Sequence, residues 1–159
     1  MDAVTGAVLT ASRALVAVSA RSLAAVEGTV TLPQFRLLVV LSVHGAASLT
    51  AVAELLGVNP STAMRMIDRL IAAGFVDRKL NPANRRETRI QLTDGGRRLV
   101  DEATARRRQE ITAIVERMTP EQGAALVEAL TAFAEAAKEP AASWAGGGRC
   151  PLGWSDVSG

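Results

Sequence analysis

A chain of 159 residues predicts a single domain that can bury a substantial core. Aromatic residues make up 3% of it and tyrosine is absent, which favours a mainly helical protein packed through aliphatic side chains. The net charge of +2 does not by itself indicate a polyanionic partner. No apolar run approaches the roughly 18 residues that cross a bilayer, and the N-terminus lacks the pattern of a signal peptide, so we expect a cytoplasmic protein without a membrane partner.

Two helices are predicted before residue 46. Alanines, small polar residues and spaced apolar side chains over residues 3–26 indicate a long helix that is buried on more than one side. Residues 30–45 predict a second helix that begins near Leu32 and Pro33. His44 falls at the C-terminal end of this helix, where the helix dipole favours positive charge.

Residues 50–74 predict a helix-turn-helix, in which Gly57 supplies the turn. Asn59 can cap the second helix with its side chain, and Pro60 fits the first helical position because it lacks an N–H. Helical spacing assigns a buried stripe to Ala63, Met64, Ile67, Leu70 and Ile71. The opposite, exposed face carries Ser61, Thr62, Arg65, Met66 and Arg69. Hydroxyl and guanidinium groups on such a face suit base edges and phosphates, so we interpret the second helix as a recognition helix.

A two-stranded ribbon is predicted after this helix. Val76, Arg78 and Leu80 alternate against Thr88, Ile90 and Leu92 on either side of an Asn/Pro loop over residues 81–86. The tip of the loop carries Arg85 and Arg86, which would fit the narrow, electronegative minor groove of DNA. The two helices and the ribbon together predict a winged helix-turn-helix head over about residues 48–98.

The charge of the chain is unevenly distributed. Residues 59–98 contain nine Lys or Arg and four Asp or Glu, which gives this segment a charge of +5 and leaves −3 for the remainder. A basic segment on a slightly acidic chain is typical of nucleic-acid binding, although a solvated basic face is the alternative interpretation.

Two further helices and a tail are predicted after the ribbon. Thr93 caps a helix that reaches about Arg117, and a capping box at residues 119–122 opens the last helix. The apolar stripes of the terminal helices are too large for one head to cover, so we expect residues 3–30 and 99–138 to form the dimerisation region of a homodimer. Residues 1–140 then form one domain. Residues 141–159, with Trp144, Trp154 and Cys150, have the composition of a flexible tail.

A set of short motifs occurs at a characteristic spacing along the chain: Leu32-Pro33-Gln34-Phe35, Leu56-Gly57-Val58, Thr62, Leu70, Gly74-Phe75-Val76, Asn84-Arg85-Arg86 and Leu92-Thr93-x-x-Gly96-Arg97. In these motifs the chain resembles the MarR (multiple antibiotic resistance regulator) family of bacterial transcription factors. With the flanking helices the resemblance covers roughly residues 5–138. The chain departs from the family pattern at Asn81 and Asn84, where the family's wings usually carry acidic residues.

The resemblance implies a ligand-responsive repressor that binds a pseudo-palindromic operator in double-stranded DNA as a homodimer. We expect Ser61, Thr62 and Arg65 to read bases, and Arg85 and Arg86 to enter the minor groove. Phosphate contacts are expected from Arg69, Arg78, Lys79, Arg97 and Arg98. Family members bind small anionic or aromatic effectors between the dimerisation helices and the head. By location alone, the candidates for effector binding here are Arg13, Arg21, Arg36 and His44, each of which also fits a surface or intersubunit ion pair.

The main alternative is a winged-helix protein-interaction module without sequence-specific DNA binding. An enzyme is not expected, because the single His and the single Cys lie far apart and no phosphate-binding loop, HExxH pair or paired-cysteine spacing occurs. One His and one Cys cannot form a tetrahedral zinc site without two carboxylates, so we expect neither a metal nor a cofactor. Cys150 could act as a redox sensor, but in peroxide-responsive relatives the reactive thiol lies in the N-terminal region.

Overall fold

The computed structural model describes residues 1–137, and the predicted tail with Cys150 lies outside the described residues. The elements are α1 (Asp2–Ala24), α2 (Leu32–His44), β1 (Ala47–Ser48), α3 (Leu49–Leu56), α4 (Pro60–Ala72), β2 (Val76–Asn81), β3 (Asn84–Leu92), α5 (Asp94–Val115) and α6 (Pro120–Ala136). Most of the described chain is helical and the strands form one small antiparallel sheet, so the predicted mainly α fold with a winged head is confirmed.

Side-chain caps fix the starts of the helices. Asn59, Thr93 and Thr119 each accept a hydrogen bond from the backbone N–H three residues further on, at 2.8, 3.1 and 3.2 Å, as the sequence predicts. An unpredicted capping box joins Thr31 and Gln34 at the start of α2, with reciprocal bonds of 3.3 and 3.0 Å. Each of these N–H groups would otherwise lack a partner in the first turn of its helix.

The sheet has the predicted ribbon and one additional strand. In β2 and β3, Val76 pairs with Leu92, Arg78 with Ile90 and Leu80 with Thr88, which is the predicted register. The strand β1 adds to the other edge of β3 and gives the order β1-β3-β2, so the prediction of only two strands was incomplete. Because β1 contains two residues, it is too short to produce an alternating pattern in the sequence.

Helix α2 is the centre of the core. Its residues from Gln34 to Leu41 are buried except for the half-buried Arg36, and it packs against α1, α3, α4 and α5. Buried side chains of the head, including Val52 of α3 and Leu70 of α4, complete the same cluster. The head and the flanking helices therefore share one core through α2.

One part of the predicted α4 stripe was wrong. Met64 is 45% exposed, whereas Met66, predicted to be exposed, is half-buried and packs against the core. The fully buried positions are Ala63, Ile67 and Leu70. On a helix with about 100° between successive residues, Met66 lies nearer the centre of that stripe than Met64 does, so the apolar character of Met64 misled the assignment.

The terminal helices carry much apolar surface that the single chain leaves uncovered. Of the residues of α1, only Val18, Ser22 and Leu23 are buried, so the prediction that α1 is buried on more than one side does not hold within one chain. None of the 17 residues of α6 is buried. The large apolar side chains exposed on α1, α5 and α6 include Val4, Leu9, Val16, Ile114, Val127, Leu130 and Phe133.

The composition of α1 overturns one expectation. By length and composition its 23 residues could cross a membrane, contrary to the prediction that no segment is long and apolar enough. Such a helix is weak evidence for a membrane span, because the core helices of soluble proteins and N-terminal signal sequences pass the same test.

Candidate nucleic-acid interface and ligand cavity

The start of α4 is fixed by a small network around Asn59. Its Oδ1 accepts hydrogen bonds from the Thr62 N–H at 2.8 Å and from the Ser61 hydroxyl at 2.7 Å. The turn before it contains Gly57 in the left-handed conformation, with φ of 66°, which a side chain would strain. Because the Ser61 hydroxyl donates to Asn59, its oxygen remains able to accept a hydrogen bond from an external donor.

The predicted base-reading residues lie together on the N-terminal half of α4. Ser61 and Arg65 are exposed, and Arg69 continues the exposed face one turn further on. Thr62 is only half-exposed, and its Oγ1 accepts a hydrogen bond of 3.3 Å from Nη2 of Arg65. The structure thus brings Ser61 and Arg65 to one open surface and turns Thr62 partly towards the protein.

The predicted phosphate-contacting residues lie on three elements, α4, β2 and α5. Arg69 is exposed on α4, and Arg78 and Lys79 are exposed on β2. The guanidinium of Arg78 forms an ion pair with Asp68, which joins the ribbon to α4. In the first turn of α5, Arg97 is half-buried and Arg98 is exposed. Further exposed cations of the head, all of them on β3, are Arg85, Arg86 and Arg89.

The tip of the ribbon is shorter than the predicted six-residue loop. The strands extend to Asn81 and resume at Asn84, so Pro82 and Ala83 alone form the turn. Arg85 and Arg86 stand in the first residues of β3, next to this turn. The Asn84 side chain accepts a hydrogen bond of 3.1 Å from the Arg86 backbone N–H. It therefore holds the backbone of that residue, while the arginine side chain remains exposed.

A cavity of about 430 Å³ lies between α1, α2, α4 and α5. Most of its walls are apolar side chains, and two guanidinium-bearing residues, Arg36 and Arg107, also line it. Thr62 and Met66 form the part of the wall that belongs to α4. This volume and lining are typical of a site for a small organic molecule with one acidic group.

Of the four predicted effector-binding residues, only Arg36 lines the cavity. Arg21 instead donates two hydrogen bonds to Oε2 of Glu110, at 3.1 and 2.9 Å, which connects α1 to α5. Arg13 is exposed on α1, and His44 ends α2 away from the cavity wall. Sequence reasoning missed Arg107, whose only signal was the run of three arginines at residues 106–108.

Metal chemistry has no candidate site in the part of the chain that the structure describes. Within residues 1–137, no group of three or more His, Cys, Asp or Glu side chains is arranged to hold a metal ion.

The fold and the exposed basic face of α4 define a winged helix-turn-helix protein, and comparison with known proteins gives the family. The MarR family model matches residues 30–88. The crystal structure of RV1404 from Mycobacterium tuberculosis is 52% identical, with a TM-score of 0.82 over 89% of this chain and 97% of that one. The chain belongs to the MarR family of transcription regulators.

More distant relatives agree with this assignment. An uncharacterized HTH-type transcriptional regulator of Bacillus subtilis, YfiV, is 27% identical over 106 residues. These residues are 67% of this chain and 66% of YfiV, so the chain spans slightly less than two thirds of the length of YfiV. A structure of Bordetella bronchiseptica BpsR, described with a mechanism for regulation of its DNA binding by 6-hydroxynicotinic acid, is 26% identical with a TM-score of 0.61 over 83% of this chain and 93% of that one. Because the family consists of transcription regulators, the prediction that the chain is not an enzyme is confirmed.

Proposed function

We propose that this chain is a cytoplasmic, ligand-responsive repressor that binds a pseudo-palindromic operator as a homodimer. The observation that carries the proposal is the open face of α4, which exposes Ser61, Arg65 and Arg69. Arginine side chains there can reach guanine edges, and the exposed cations of the ribbon and of α5 can contact phosphates. In this proposal the head covers about residues 48–98.

Dimerisation follows in this proposal from the uncovered apolar surface of the terminal helices. A second copy that packs α1, α5 and α6 against their counterparts would bury these side chains and place two recognition helices on one face. Two helices related by a two-fold axis fit successive major grooves, so half-sites should be centred about one helical turn apart. Burial in the dimer also explains the apolar composition of α1 without a membrane.

Substitution of Arg65 by alanine tests the assignment of base reading. We expect a loss of about 1–3 kcal/mol on the operator and relaxed base preference at one position in each half-site. Arg98→Ala is the control, because loss of a phosphate contact should weaken operator and random duplexes by the same factor. Gel-shift titrations on both duplexes provide the measurement. Equal weakening of both duplexes by Arg65→Ala would mean that Arg65 contacts phosphate alone.

The cavity supports effector binding of a particular chemistry. An aromatic ring would pack against its apolar walls, and a carboxylate would accept hydrogen bonds from Arg36 and Arg107. Because Thr62 and Met66 of α4 form part of the same wall, a bound molecule would contact the recognition helix directly. A ligand that binds better to a conformation unsuited to the operator would lower the DNA affinity in proportion to that preference.

A thermal-shift titration with single-ring carboxylates, including 6-hydroxynicotinate, tests the cavity. We expect at least one carboxylate to stabilise the protein and to weaken operator binding, and the corresponding neutral amide to do so less. Arg36→Met and Arg107→Met should each lower the affinity for the carboxylate about tenfold, because each variant loses a charge-assisted hydrogen bond. Arg13 does not line the cavity, so Arg13→Met should bind the carboxylate with the affinity of the unaltered protein. Equal responses from all three variants would exclude this cavity as the effector site.

A further inference from the structure

The last residue of β2, next to the turn of the ribbon, has a buried polar side chain whose amide oxygen and amide nitrogen both form hydrogen bonds. Asn81 is 6% exposed, although it lies at the tip of an otherwise exposed hairpin. Its Nδ2 donates a hydrogen bond of 2.6 Å to Oε2 of Glu87, and its Oδ1 accepts one of 3.0 Å from the Ala83 N–H. The oxygen of the Asn81 amide is therefore bonded to the backbone of the turn, and its nitrogen is bonded to a side chain of β3.

The pairing of the two strands is irregular at this point. Leu80 pairs with Thr88, but the next residue, Asn81, pairs with Asn84, so residues 85–87 have no partner on β2. These three extra residues are Arg85, Arg86 and Glu87. Extra residues in one strand of a pair change the direction in which the side chains point. Arg85 and Arg86 therefore lie within this bulge.

Two asparagine side chains hold the ends of this bulge. Asn84 accepts the Arg86 N–H at 3.1 Å, and Asn81 donates to the Glu87 carboxylate at 2.6 Å. The second bond requires an amide, because an aspartate at position 81 could still accept from Ala83 but would face Glu87 with a like charge. Glu87 is half-buried and follows Arg86 in the chain. Its negative charge would repel the DNA phosphates, so DNA binding alone does not account for a glutamate at this position.

We propose that Asn81 and Glu87 are positioning residues that fix the bulge and thereby orient Arg85 and Arg86 for the minor groove. The inference rests on the proposed DNA-binding function. A preformed wing loses less conformational entropy when it binds, so the pair should strengthen binding to the operator. The Glu87 charge weakens attraction to DNA of any sequence. The pair therefore raises the ratio of operator binding to random binding.

The test uses Asn81→Asp, Glu87→Gln and the double variant. The double variant has the net charge of the unaltered protein and restores a hydrogen bond, now donated by the amide introduced at position 87 to the carboxylate introduced at position 81. We expect Asn81→Asp to lose about tenfold in operator affinity and the double variant to return to within about threefold of the unaltered protein. Charge alone would also lower the affinity of Asn81→Asp, so Glu87→Gln is compared with Glu87→Ala, which has the same charge but no acceptor. Glu87→Gln should bind the operator several-fold better than Glu87→Ala.

A role exerted through the arginines is separated from general stabilisation by repeating Asn81→Asp in an Arg85→Ala/Arg86→Ala background. There Asn81→Asp should lower operator affinity only by the smaller factor that its added charge causes on random DNA, and thermal unfolding should show all variants folded. The proposal is overturned if the double variant binds the operator no better than Asn81→Asp, or if Glu87→Gln and Glu87→Ala bind it equally. It is also overturned if Asn81→Asp lowers operator affinity by the same factor with and without the two arginines. If the unaltered protein itself fails to prefer a selected duplex over random DNA, the proposed function fails instead.

Discussion

Removal of residues 2–26 is expected to leave no soluble, folded protein. The deletion takes away Val18 and Leu23, which are buried in the single chain, and one wall of the cavity. It also removes the Arg21–Glu110 ion pair to α5 and the apolar surface that a second copy would cover. The proposed homodimer would thus lose part of each protomer's core together with part of the interface. Expression, followed by light scattering of any soluble fraction, provides the measurement.

A milder pair of variants separates assembly from folding. Phe133 is 53% exposed on α6, and Thr131 lies on the opposite side of the same helix. At micromolar protein concentration, Phe133→Glu should convert the proposed dimer into monomers or aggregates, because the glutamate would be buried without a partner. Thr131→Glu adds the same charge and should remain dimeric. A soluble, DNA-binding monomer after deletion of residues 2–26, or an intact dimer with Phe133→Glu, would refute the proposed interface.

Replacing Gly96 by alanine is expected to destabilise the protein by about 3 kcal/mol, because a close backbone contact leaves no room for a side chain. An added Cβ would lie 2.1 Å from the Phe75 carbonyl oxygen and 3.0 Å from its carbon. The same carbonyl accepts the Thr93 N–H at 3.1 Å, and Thr93 Oγ1 donates to the Gly74 carbonyl at 2.6 Å. The first turn of α5 is therefore fastened to the turn between α4 and β2.

Gly95→Ala is the matched control. A Cβ at Gly95 would meet its nearest atom, the Gly74 carbonyl oxygen, at 3.5 Å, which is an ordinary contact. This change should be neutral or stabilise the helix by up to about 1 kcal/mol, since alanine loses less conformational freedom than glycine. Urea unfolding at one fixed protein concentration compares the two variants. Equal stability of Gly96→Ala and Gly95→Ala would mean that α5 is not packed closely against Phe75.

Features encoded locally were predictable from the sequence. The caps at Asn59, Thr93 and Thr119 depend on residues three positions apart. The pairing of β2 with β3 follows from alternating residues on two strands that one short turn connects. The resemblance to the MarR family added the prediction that these helices and the ribbon form one winged helix-turn-helix head. These predictions succeeded because each rests on a periodic or short-range pattern.

Features that depend on distant contacts were not predictable. Arg107 lines the cavity because α5 packs beside α1, and no spacing in the sequence connects it to Arg36 on α2. The 2.6 Å bond from Asn81 to Glu87 exists because an irregular pairing places three residues of β3 in a bulge, which alternation cannot indicate. The misplaced Met64 has a different origin, because the helical spacing already places Met66 nearer the buried stripe of Ala63, Ile67 and Leu70.

Selection of bound sequences from a pool of random duplexes, followed by salt titration of the selected and random DNA, tests the central claim most directly. A sequence-specific homodimer should enrich a pseudo-palindrome with half-sites about one helical turn apart. The affinity for it should exceed that for random DNA, and both affinities should fall steeply as salt rises, because bound phosphates release counterions. A winged-helix module that binds other proteins would enrich no sequence and show no salt-dependent DNA binding, and that result would contradict the proposed function.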